Sequence, residues 1–263
     1  MREGKVLHTG TSVIAVETDF YELPELNDLD IIFLEDFISK GEPASHAANR
    51  QLIQLLLDPY QQASFVSNEW KVKLPPVDDF LQRNTYEVLE NFHMEIENSF
   101  IPDLALALEN DLSFYSNDAF IFIRFICIQY MRTKKIKEGI KDFPFYGRLW
   151  NILALIISTN IGATLYHERH RRKLYTVNAG AEEFITSDQP VINLKSQKPA
   201  LPEEVSFYYP ISPKLALILA DVDEAPFNPM LSRGQVRDLN DKMYENSYAV
   251  LFAQSQAALK HYC

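Results

Sequence analysis

The stretch Glu183-Phe184-Ile185-Thr186-Ser187-Asp188-Gln189-Pro190-Val191-Ile192 decides the fold. It runs apolar, then compact and polar, then apolar again. Its proline limits where a strand can continue, because the ring removes a backbone N–H donor. Thr186, Ser187 and Asp188 are short side chains that cap turns and bond their own backbone. Two readings stand side by side. One is an Asx-type turn leading into Pro190; the other holds Asp188 at a strand end, facing Gln129 and Arg132.

Around this stretch the sequence reads as strands. Leu174-Tyr175-Thr176-Val177, Phe184-Ile185-Thr186, Val191-Ile192-Asn193-Leu194, Val205-Ser206-Phe207-Tyr208-Tyr209 and Leu215-Ala216-Leu217-Ile218-Leu219 are rich in β-branched and aromatic residues, with Pro and Gly between most of them. Residues 232–247 read as a helix, and Tyr248-Ala249-Val250-Leu251-Phe252 as a last strand.

Upstream the period is helical. Leu26, Leu29, Ile32, Phe33 and Phe37 recur at helical spacing over 26–39, and Lys40-Gly41-Glu42-Pro43 stops that helix. Ser45 is the expected N-cap of a helix over 46–57. A long helix is expected from Val77 to Glu109, bent near Pro102. Residues 117–138, with Phe120 through Arg132 apolar nearly all round, read as a central buried helix. A second nearly uncharged helix covers 148–165; Asn151, Ser158, Thr159, Asn160 and Gly162 dilute it, so it reads as core and not as a membrane span. Before all of these, Val6-Leu7-His8 and Val13-Ile14-Ala15-Val16 flank Thr9-Gly10-Thr11-Ser12 as a small hairpin over 5–16. Helices first and strands later make an α+β class. A single domain is expected, with a helical part over about 22–166 and a mostly antiparallel sheet over about 172–255 joined by the hairpin.

The 263 residues are 47% apolar and carry a net charge of −11. Residues 1–112 hold 21 acids against 7 bases, whereas the window 124–173 holds 11 bases against 3 acids. An acidic chain is a poor general nucleic-acid binder, but a local basic face suits a phosphate-bearing small molecule or a nucleic-acid segment. The other reading is that the basic window balances the acidic half. Cys127 and Cys263 give neither a disulfide framework nor metal-ligand spacing, and Met1 to Val6 lacks a signal-peptide core. A reducing, cytoplasmic setting is the expectation.

Several constellations fail on spacing. His167-Glu168-Arg169-His170 sets its histidines three apart, not four, and Arg171, Arg172 and Lys173 beside it repel a cation. No glycine-rich nucleotide loop and no Gly-x-Ser-x-Gly elbow occurs, so no cofactor is named and Ser187 has no nucleophilic context. His8, His46, His93 and His261 are scattered. The acids Asp78, Asp79, Glu87, Glu90, Glu95 and Glu97 lie along the long helix, as a solvated face or as a row for a divalent cation or acid/base work. Arg124 and Arg132 inside an apolar helix each need a carboxylate or an anionic ligand, since an unpaired buried guanidinium is very costly. Glu95 and Glu97 are the candidate structural partners.

Phe184-Ile185-Thr186-Ser187-Asp188-Gln189-Pro190-Val191 resembles the Phe-Ile-Thr-Ser-Asp-Asn-Pro-Val signature of the bacterial domain-of-unknown-function family 4238. Asp19-Phe20-Tyr21, Ile96-Glu97, Gln129-Tyr130-Met131-Arg132-Thr133, Tyr209-Pro210-Ile211-Ser212-Pro213 with Leu215-Ala216-Leu217, and Leu239-Asn240 resemble further family segments in the same order, over about residues 5 to 252. Family members open with His-x-x-Pro and Leu-Arg-x-Phe before the hairpin, and no such segment stands here. The resemblance brings no established activity with it.

Two functions follow as expectations. One is a hydrolase-like toxin or defence effector acting on a phosphodiester or nucleotide, with Glu97 and Asp188 as carboxylates, Gln129 and Arg132 orienting an anion, and Thr186, Ser187 and Asn240 lining the site. The other is a non-catalytic binding or interaction module in which those residues form a buried network.

Overall fold

The computed structural model describes residues 23–57, 75–196, 204–224 and 229–262, with side chains in the segment from 75 described from residue 88 on. The hairpin expected at 5–16 and Asp19-Phe20-Tyr21 lie outside the described residues, as do the side chains of Asp78, Asp79 and Glu87. The fold is α+β, with helices mostly in the N-terminal half and a small antiparallel sheet in the C-terminal half.

Helix α1 (Asp28–Ser39) starts at Asn27, whose side chain accepts the N–H groups of Leu29 and Asp30 while Asp30 accepts that of Asn27. This reciprocal cap satisfies donors that a helix start leaves orphaned. Asp30 is buried, and its charge is met by an ion pair with Arg148. Helix α2 covers 46–57. Ser45 does not cap it. Ser45 closes a short 3-10 turn, Pro43–Ser45, and its hydroxyl is spent on the Glu42 carbonyl and on Asn160, which also accepts from Asn49 at 2.9 Å.

Helix α3 (Pro75–Leu108) runs on through Pro102. The central segment is split where a continuous helix over 117–138 was expected. It forms α4 (Ser113–Asn117), α5 (Phe120–Met131) and α6 (Lys134–Ile140). The break falls at Arg132 and Thr133: Arg132 leaves helical geometry at ψ 26°, and Thr133 is extended. Helix α7 (Trp150–His167) packs on α5, with the Ser158 hydroxyl reaching the Cys127 carbonyl at 3.2 Å and Gly162 facing Ile123 and Cys127. Small residues there let two apolar helices approach closely. Among the described residues no helix is long and apolar enough to cross a membrane.

Strands β1 (Arg172–Asn178), β3 (Ile192–Asn193), β4 (Phe207–Pro210) and β5 (Leu215–Asp221) form one antiparallel sheet in the order β1-β5-β4-β3. Strand β2 (Thr186–Ser187) pairs antiparallel with β6 (Leu251–Phe252). Both are shorter than expected: Phe184 and Ile185 precede β2, and 247–250 is a loop. Helix α8 (Arg233–Asn246) is capped reciprocally by Ser232 and Gln235, and a short α9 (Gln256–Leu259) follows β6.

The strand pattern shows why β5 is apolar at nearly every position. Leu217 and Leu219 share a core with Leu174, Phe207 and the residues of α5 and α7. Ala216, Ile218 and Ala220, on the alternate positions, pack with Val177, Tyr208, Phe184 and Ile185, and with Val236 and Met243 of α8. A sheet covered on both faces needs continuous apolar strands instead of alternating ones.

Candidate functional site

Three of the expected residues meet where α5 ends against α3. Arg132 forms an ion pair with Glu97 and donates to the side-chain oxygen of Gln129 at 3.0 Å. The Gln129 amide in turn donates to Glu97 at 3.2 Å. Gln129 is buried, Arg132 mostly so, and the Glu97 side chain is 44% exposed, so the cluster touches solvent through its carboxylate. Arg124, the other arginine of this helix, lies over the Phe92 ring at 5.2 Å. Its guanidinium is thus met by an aromatic face, an attraction that is modest but real.

His93 and Tyr209 extend this cluster, and the sequence did not single out either side chain. His93 is buried one helical turn before Glu97, and burial, helped by the Arg132 charge, pulls its pKa from 6.5 down to about 3. The imidazole is therefore held neutral. Tyr209 has its hydroxyl pKa raised by burial and by Glu97, with Arg132 pulling the other way. A helical i,i+4 relation to Glu97 was the one available signal for His93. Tyr209 sits on β4, and nothing local in the sequence ties that strand to α3. The cavity bordered by His93, Arg132, Asn151 and Ser158 is about 10 Å3, room for about one water.

Asp188 does not pair with Arg132. Its carboxylate accepts the N–H groups of Tyr248 (2.9 Å), Ala249 (2.7 Å) and Val250 (3.2 Å), and its own N–H donates to the Val250 carbonyl. Three successive backbone donors on one carboxylate are charge-assisted bonds, roughly twice as strong as neutral ones. They pin the 247–250 loop and end the strand that was expected there. The contact with the central helix is made by the next residue. The Gln189 amide, buried, donates to the carbonyls of Tyr130 (3.0 Å) and Val191 (2.8 Å) and accepts from the Thr133 hydroxyl. The same contact draws Thr133 out of the helix.

The remaining expected residues serve the backbone as well. Ser187 closes a turn with Gln189, its hydroxyl accepting the Gln189 N–H and donating to the Gln189 carbonyl, both at 3.0 Å. Thr186 pairs with Phe252 in the β2–β6 ladder. Asn240, from α8, accepts the Ile185 N–H at 3.1 Å and donates to the Glu183 carbonyl at 2.8 Å. That is the two-bond pattern of a strand partner, supplied by one side chain. Thus Glu97, Gln129 and Arg132 form one group, Thr186, Ser187, Asp188 and Asn240 form another, and Gln189 links the second to α5.

Among the described residues the other acidic cluster offers no open coordination set. Glu204, Asp221 and Glu224 bring carboxylate oxygens within 4.8 Å of one another, but Lys195 reaches Glu224 and Glu204 (3.6 Å) and Arg172 reaches Asp221 (3.2 Å). Cations already sit where an ion would be drawn. His167 and His170 are both exposed, on either side of the start of the 3-10 turn Arg169–Arg171.

Fold and site together define an α+β protein whose polar motif residues are tied mainly to backbone and to one another. Residues 152–257 match the family model described as Protein of unknown function (DUF4238), less than half of the chain. The chain resembles that family over a segment that includes 186–190, 209–213 and 239–240 and leaves out 96–97 and 129–133. No curated protein and no solved structure matches the chain.

Proposed function

We propose that this chain is a non-catalytic binding or interaction module, in which the Thr-Ser-Asp-Gln-Pro stretch is the clasp that holds the sheet, α8 and α5 together. The observation that carries this reading is Asp188, whose two carboxylate oxygens are occupied by three backbone N–H groups. A general base or metal ligand needs a lone pair aimed at substrate. The hydrolase-like reading has less support. Its two carboxylates, Glu97 and Asp188, engage different partners, and the cavity beside Arg132 is smaller than any nucleotide. A bacterial, cytoplasmic setting belongs to this proposal, in keeping with Cys127, a free and fully buried thiol whose pKa burial pushes up.

The test is the stability of Asp188→Ala and Arg132→Ala, measured by urea unfolding. The module reading expects each to lose about 1–3 kcal/mol, the cost of leaving hydrogen-bonded polar partners unsatisfied. Both variants folding as the parent while losing a hydrolytic activity or growth inhibition in cells would overturn it.

A further inference from the structure

A cleft of about 590 Å3 opens beside α8, lined by the 181–183 turn and by the C-terminal residues 255–262. That volume is in the range that takes a small metabolite or mononucleotide. The acids and the bases lining it are in different states. Glu183 accepts the Ser255 hydroxyl at 2.7 Å, and Glu182 pairs with Arg233 at 3.4 Å. Arg237 and Lys260 have no carboxylate partner among the described residues; Arg237 meets the ring nitrogens of His261 instead, at 2.8 and 3.2 Å.

Arg50, Arg132, Arg148, Arg172 and Arg233 each reach a carboxylate, whereas Arg124 and Arg169, like Arg237, meet a ring instead. Arg237 has a carboxylate four residues on, Asp241, in the weaker base-before-acid order. Asp241 instead accepts the Tyr262 hydroxyl at 2.8 Å. That carboxylate is engaged elsewhere, and a guanidinium, an ammonium and an imidazole line the cleft together with Glu182 and Glu183, whose carboxylates already have partners. A guanidinium fork matches a phosphate in two parallel bonds, and an ammonium adds a point charge.

We infer that the cleft between α8 and the C-terminal residues is a binding site for a small phosphate-bearing molecule, held by Arg237 and Lys260 with His261 beside them. The inference deepens the binding-module reading and rests on it. The oxyanion lies against Arg237, displacing His261 from its guanidinium, and the remainder of the ligand occupies the space toward Val236 and Tyr262.

The experiment is a titration of the 263-residue chain with inorganic phosphate at constant ionic strength, followed by calorimetry and backbone amide shifts. Constant ionic strength matters because exposed charges are screened by salt. Saturable binding is expected, with the largest shifts at 233–240 and 257–262. Arg237→Gln should weaken it about tenfold or more, the worth of a charge-assisted bond pair. Arg50→Gln, which removes a surface guanidinium paired with Glu35 elsewhere, should leave it unchanged. Should Arg237→Gln melt early, Lys260→Gln and His261→Asn carry the same comparison. Absence of saturable phosphate binding, equal weakening by Arg50→Gln, or acetate binding as tightly as phosphate each overturns the inference. Turnover of bis-p-nitrophenyl phosphate in the same samples would overturn the non-catalytic reading while leaving the phosphate site standing.

Discussion

The side-chain amide of Gln189 donates to the carbonyl of Tyr130 at 3.0 Å, so the sheet-side motif grips the central helix through its uncharged residue and not through Asp188. The same amide reaches the Val191 carbonyl at 2.8 Å, and its oxygen accepts from Thr133. Gln189 thereby fixes both the end of α5 and the approach to β3.

Gln189→Glu is the sharpest test of that role. The shape is kept, but an oxygen replaces the nitrogen that donates to two carbonyls, and the site is buried. A buried charge facing carbonyl oxygens must take up a proton or unfold its surroundings. We expect a loss of about 3 kcal/mol or more at neutral pH, larger than that of Gln189→Ala, in urea unfolding. Equal stability of Gln189→Glu and the parent would remove Gln189 from this role.

Much of the architecture was legible in the sequence, because it rests on period. The runs at 174–177 and 215–219 and the helices at 26–39, 46–57, 148–165 and 232–247 stand where their apolar spacing put them, to within a few residues. Breaks and partners were less legible. Nothing local in Tyr130-Met131-Arg132-Thr133 ends a helix; Gln189, 56 residues beyond Thr133, takes the Thr133 hydroxyl across the fold. The same holds for Val250, whose strand potential loses to a carboxylate 62 residues away. The Glu97–Arg132 pair was readable as a candidate, since an arginine inside an apolar helix needs a counter-charge. Which of the two readings of Asp188 holds was not legible, because a backbone N–H partner leaves no mark in a sequence.

Asp188→Asn should act locally. An amide at this position replaces one acceptor oxygen by a donor, so at least one of the bonds to Tyr248, Ala249 and Val250 is lost and the charge assistance goes with it. Amide exchange at 248–250 should accelerate by about tenfold or more, the equivalent of about 1.4 kcal/mol, while α5 and α7 keep their protection. Unchanged exchange at these amides would show that the carboxylate does not hold the loop.

Asn240→Asp probes the clasp from α8. The carboxylate still accepts the Ile185 N–H but can no longer donate to the Glu183 carbonyl, and it faces that oxygen instead. We expect about 2 kcal/mol of destabilisation, at least as much as Asn240→Ala, because a repulsive contact at a buried residue costs more than a missing one. The urea midpoints of the two variants decide the order.

Acid should loosen the helical half through His93. Its folded-state pKa of about 3 lies below the ordinary value of 6.5, so the unfolded chain binds a proton that the folded chain excludes. Stability is therefore fully present above about pH 6.5 and is lost as pH falls toward 3, with a limiting slope of about 1.4 kcal/mol per pH unit. Between pH 7.5 and 5 the expected loss from this group is about 2 kcal/mol, in a window where ordinary carboxylates stay ionised. His93→Gln, neutral throughout, should flatten the profile over that window, whatever it costs in absolute stability. The comparison is urea unfolding at pH 7.5, 6.5, 5.8 and 5.0; parallel profiles for parent and variant would mean that the imidazole takes up its proton without unfolding the contact between α3 and α5.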